Sequence, residues 1–168
     1  MADRPDIAVI GMGNLLMRDD GVGIHALQEL EKGESLPEGV VTVDGGTDPW
    51  GSLAATESCR RLVLLDAVKG PAEPGSIYRV PVEKLKKKEG KSSLHEIDLT
   101  HLLELKRVTG EPCDSAVVIG MEPESIEPGT ELSEPWRRAL PGMLEAVRKE
   151  IQHLTKRKAN KGAAHAGN

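Results

Sequence analysis

Phenylalanine is absent from the sequence, tyrosine occurs once and tryptophan twice. A core made without aromatic rings is filled by Ile, Leu, Val and Met, and the platforms on which single-stranded nucleic acids stack are missing. Cysteine is nearly as scarce. Cys59 and Cys113 lie far apart and match no zinc-ligand spacing, so they read as small buried hydrophobes in a reduced, cytoplasmic protein. No apolar run exceeds about five residues, far short of the roughly 20 that cross a bilayer, so membrane insertion is not expected. The opening residues lack the basic and apolar regions of a secretion signal.

Positive charge is also in short supply. The net charge is −5, and four of the cations, Lys156, Arg157, Lys158 and Lys161, stand in a tail without acids. The remaining body is therefore more acidic than the whole, which argues against a nucleic acid partner. What the chain does have suits one globular domain: 168 residues, 38% hydrophobic and 29% charged, are enough for a single core.

Short apolar runs alternate with amphipathic stretches. Residues 7–10, 40–43, 62–65 and 116–119 read as strands, and Ser76 to Val82 as another after the turn signal Pro74-Gly75. Helices are expected over Gly23–Lys32, Trp50–Arg60 and Ser93–Val108, the last opened by a Ser93-x-x-Glu96 capping box. The stretch "KLKKKEGK" reads as a solvated basic loop or helix end. A last apolar face runs from Ser133 to Leu154, where Pro141 is expected to kink or split the helix. Residues 1–154 then form one domain, and 155–168 read as a disordered basic tail. Strands that are continuously apolar are covered on both faces. The fold class is therefore α/β, a three-layer αβα sandwich around a mostly parallel, twisted sheet of about five strands.

In such sheets the working groups gather beyond the C-terminal ends of the strands. Asp19 and Asp20 follow strand one, Asp44 ends strand two, Asp66 ends strand three, and His95 lies in the first turn of the helix starting at Ser93. Each has an ordinary alternative: Asp20 favoured by a helix dipole, Asp44 as a turn residue, His95 as part of a cap. Asp66 is the hardest to explain so, because a carboxylate straight after "LVLL" is costly to bury unless paired or ligated. Together they fit either a divalent metal site or an acid/base constellation. The stretch "VIGMGNLLMRDDGVG", residues 9–23, starts like a dinucleotide loop but lacks its third glycine and puts acids where phosphates would sit. No G-x-S-x-G and no H-E-x-x-H motif is present.

Five blocks, "GMGNLLMRDDGVG" (11–23), "VDGGT" (43–47), "LLDAV" (64–68), "SLHEIDL" (93–99) and "GMEPESIEPG" (120–129), occur in that order and span nearly the whole domain. In this the chain resembles the hydrogenase maturation proteases, which trim the C-terminal extension of nickel–iron hydrogenase large subunits. The resemblance implies a precursor large subunit as partner, and nickel carried by that substrate, for which another divalent metal can substitute in a crystal. It implies that Asp20, Asp66 and His95 contact the metal and carry the cleavage, Asp20 standing where some members have Glu. The 120–129 block is implied to be structural or part of the substrate-facing rim. The expectation is a monomeric, cytoplasmic peptidase that binds neither nucleic acid nor membrane. The alternative is a metal-binding chaperone for hydrogenase assembly that uses the same three residues without hydrolysis.

Overall fold

The computed structural model describes the backbone of residues 5–85 and 94–165, and side chains within 5–84, Pro49 excepted, and 102–157. Five strands form one sheet: β1 (Ile7–Met12), β2 (Val40–Gly46), β3 (Arg61–Ala67), β4 (Ile77–Pro81) and β5 (Ser115–Met121), in the order β2-β1-β3-β5-β4. β2, β1, β3 and β5 are parallel; β4 runs antiparallel along β5. The helices are α1 (Val22–Lys32), α2 (Pro49–Ala55), α3 (Val82–Leu85), α4 (Leu94–Thr109) and α5 (Glu134–His165), and a 3-10 turn, Arg18–Gly21, precedes α1.

The continuous apolar runs have the cause assigned to them: alternate residues serve two cores. Ile7, Val9, Val63, Leu65, Val117 and Ile119 pack under α1 and α5 with Leu27, Leu30, Trp136, Met143 and Val147. Ala8, Ile10, Leu62, Leu64, Ala116 and Val118 face the other way, toward Leu53 of α2 and Leu102 and Leu103 of α4. The chain is thus a three-layer α/β domain with a mixed, mostly parallel sheet. Among the described residues no helix is long and apolar enough to cross a membrane.

Several boundaries differ from expectation, each for a local reason. β3 continues through Asp66 to Ala67, so Asp66 is its penultimate residue and not its last. α2 ends at Ala55 instead of running to Arg60, because the Thr56 carbonyl is taken by the Cys59 N–H (2.9 Å) and the buried Lys106 Nζ (2.8 Å). α5 is one helix through Pro141 and continues past 154 to His165. Pro141 and Arg137, the residue whose carbonyl loses its partner, are both exposed, so the ring and the freed carbonyl can face water. Of the basic run, 86–91 lies outside the described residues, as does Ser93 of the capping box.

Candidate active site

β1 lies between β2 on one side and β3 on the other, so connections leave it in opposite directions. A crevice opens at the C-terminal edge of a parallel sheet where the strand order reverses in this way. Here its walls are the loop after β1 and the end of β3, which carry Asp20 and Asp66.

The glycines of the first loop bring those walls together. A Cβ on Gly23 would stand 2.0 Å from the Leu65 carbonyl oxygen and 2.3 Å from that of Met12, so the start of α1 rests directly on the ends of β3 and β1. Gly13 has φ +127°, and a Cβ there would meet the Asp20 carbonyl oxygen at 1.9 Å. The loop leaves β1, turns back and seats Asp20 against its own beginning. Glycine at these positions serves close backbone packing and has no need of a phosphate.

The two neighbouring acids have different environments. Asp19 is fully buried. Its Oδ2 accepts hydrogen bonds from the N–H groups of Glu124 (2.9 Å) and Ser125 (3.0 Å) and from the Ser133 hydroxyl (2.8 Å); its Oδ1 accepts from the Ser133 N–H (2.8 Å). Four donors fill the acceptor capacity of one carboxylate. Asp19 therefore ties the loop after β1 to the loop after β5. A second tie runs beside it, in which Arg18 N–H donates to the Gly129 carbonyl and Gly129 N–H to that of Leu16, each at 2.8 Å. Asp20, 8% exposed, accepts from the Asn14 N–H at 3.0 Å through Oδ2. It takes no part in the tie that Asp19 makes to the loop after β5.

Asp66 is 7% exposed, and its Oδ1 accepts from the Ala67 N–H at 2.8 Å. It is held at the lip of the sheet by β1 on one side, through Gly11 opposite Leu65, and by β5 on the other, through Gly120 opposite Asp66. Two buried carboxylates from adjoining elements are hard oxygen donors of the kind that bind a divalent cation. Among the described residues no three His, Cys, Asp or Glu side chains cluster to hold a metal. His95 is the second residue of α4, but its side chain lies outside the described residues. Asp44 is exposed and accepts from the Gly46 N–H two residues on (3.1 Å), the turn role open to it in the sequence.

Sequence reasoning missed Glu122, which ends β5's reach toward the site. Its buried carboxylate accepts from the Tyr78 hydroxyl (2.7 Å) and the Gly70 N–H, while its carbonyl accepts from the Trp136 indole (2.6 Å). Burial, and the bond to Glu122, push the Tyr78 phenol above its ordinary range. The 120–129 block thus anchors the loops behind the crevice, and Glu-Pro-Glu in sequence gives no hint of partners 44 and 52 positions away. Both cysteines are free thiols; Cys59 is buried as expected, but Cys113 in the loop before β5 is exposed and not the buried hydrophobe expected of it. Desolvation raises the pKa of each, so neither is a ready nucleophile. Burial lowers the pKa of His25 on α1 and keeps its ring neutral at neutral pH.

A family model described as hydrogenase maturation protease (HycI) matches residues 24–150, a span that includes Asp66 and His95 and begins just after Asp20. The chain is 30% identical over 143 residues to the hydrogenase 2 maturation protease of Escherichia coli, covering 84% of this chain and 87% of that one. It is 32% identical over 146 residues to the hydrogenase expression/formation protein HupD of Rhizobium leguminosarum, covering 85% and 72%. The structure of the hydrogenase maturating endopeptidase HybD from Escherichia coli superposes with a TM-score of 0.76 at 27% identity, over 88% of this chain and 93% of that one.

Proposed function

Since the chain belongs to the hydrogenase maturation protease family, we propose that it is an endopeptidase that removes the C-terminal extension of a nickel–iron hydrogenase large-subunit precursor once nickel has been inserted. The observation that carries this reading is the pairing of two buried carboxylates, Asp20 and Asp66, on adjoining elements at the switch point of the sheet, with the neighbouring Asp19 committed elsewhere.

In this reading nickel arrives as part of the substrate. Asp20 and Asp66 offer it oxygen donors and His95 a nitrogen donor, which leaves coordination positions for the precursor's own groups. A precursor without nickel has nothing for the two acids to grip, so cutting is conditional on metal loading. Asp66, fixed between β1 and β5, is the better placed of the two acids to hold a proton or a water steady while the peptide bond breaks. The working compartment is the cytoplasm.

The test is a processing assay. The protein is incubated with nickel-loaded precursor and, separately, with nickel-free precursor, and the mass of the large subunit is followed. Loss of a C-terminal peptide only from the loaded sample is the expected result. Asp66→Asn is expected to keep the fold, read by circular dichroism, and to abolish processing; normal cleavage by that variant refutes the site. Nickel binding by the wild type without any cleavage of its cognate precursor would instead indicate a metal chaperone.

A further inference from the structure

Arg18 is the one residue of the site loop whose side-chain chemistry is still unused. Among the described residues it alone has a positive φ without being glycine, +47°. A side chain in that region is strained, whereas glycine adopts it freely. The same loop has glycine at 13, 21 and 23, so an arginine at 18 is there for its side chain.

The stem of that side chain is seated. A Cβ on Gly129 would lie 2.9 Å from Arg18 Cγ and 3.3 Å from Cδ, so the arginine crosses the second loop where glycine leaves room. Among the described residues no carboxylate, carbonyl or hydroxyl accepts from its guanidinium, although Asp19 and Asp20 follow it in the chain. Five donors held half-buried beside Asp19 and Asp20, and unused by the described residues, are suited to a ligand. Leu16 and Ile126, 66% and 51% exposed, stand on the two loops tied together at Arg18 and Gly129. Glu124 and Glu127 are exposed on the second loop, whereas Glu131 faces the Arg137 guanidinium at 3.6 Å. Such a rim repels a substrate carboxylate except where a guanidinium meets it.

We propose that Arg18 is a specificity-determining residue that binds a carboxylate of the precursor segment lying across Leu16 and Ile126, and so sets the register of that segment over the crevice. The proposal rests on the endopeptidase reading. The carboxylate comes either from an acidic side chain of the segment or from the C-terminus of the extension.

The experiment is steady-state processing of nickel-loaded precursor by wild type, Arg18→Gly and Arg18→Lys, with the thermal midpoint of each. Arg18→Gly is expected to keep or raise the midpoint, because glycine suits the backbone, while KM rises about tenfold and kcat stays within about twofold. Arg18→Lys, which keeps the charge but not the fork, is expected to fall between. Two further substrates distinguish the sources: a precursor whose extension has Asn and Gln for its acids, and one whose C-terminal carboxylate is amidated. The KM gap between wild type and Arg18→Gly should close on one of them. An unchanged KM for Arg18→Gly, or a gap that persists on both substrates, overturns the proposal. Failure of the wild type to cut loaded precursor overturns the endopeptidase reading instead. Arg18 is then judged by direct binding of precursor, where equal affinity of wild type and Arg18→Gly rejects its role.

Discussion

Asp19 and Asp20 show how little a residue type decides without its surroundings. They are consecutive and both buried, yet one is saturated by four donors from the far end of the chain and the other sits over the crevice. Asp19→Ala leaves three N–H groups and a hydroxyl without their acceptor, those of Ser133 fully buried and those of Glu124 and Ser125 partly so. It is expected to cost about 3–5 kcal/mol in urea unfolding. A loss below about 1 kcal/mol would show that water replaces the carboxylate there. Sequence reasoning identified the acid pair but not this division of labour, since the partners of Asp19 lie 105 to 114 positions away. Asp44 was legible because its partner is only two residues on. Asp66 was legible in kind and place, as an acid ending an apolar run, though the strand runs on past it to Ala67.

At the scale of elements, the start of α1 fixes the site. Gly23 touches the carbonyls of two different strands, and carbonyls within a sheet cannot move aside without breaking the ladder. Gly23→Ala is therefore expected to lose about 3 kcal/mol or more and to yield little folded protein. Gly39→Ala is the control. It has φ +82° but nothing within 4 Å of the added Cβ, so its cost should stay near the 1–2 kcal/mol of a strained backbone. Equal losses in the two variants, read by denaturant titration, would show that conformational strain and not contact explains Gly23. The strands were legible as elements because burial on both faces makes them continuously apolar. The length of α2 was not, because Thr56 is stopped by Lys106, a side chain from another helix. Nor was the continuity of α5 through Pro141, which depends on that residue facing outward.

Across the whole molecule, alternation of strand and helix gave the layered class, and the rule that function gathers at the C-terminal edge of a parallel sheet pointed to Asp19, Asp20, Asp44 and Asp66, with His95, before any strand order was known; of these the structure ties Asp19 and Asp44 into local structural roles. The order itself was not readable, since β3 joins β1 and not β2 through contacts that no local pattern announces. Neither was the tie that closes the site from behind. That tie has a consequence for how the protein breathes. Surface loops commonly surrender their amide hydrogens to solvent at low free-energy cost, through openings that leave the sheet intact. The amides of Glu124, Ser125 and Ser133 end on a carboxylate enclosed beside β1. In deuterium exchange they should hold their protons as long as the central strands do, so that the back wall of the crevice opens only when the domain itself unfolds. Rapid labelling of those three amides in the native protein would mean that the wall moves independently.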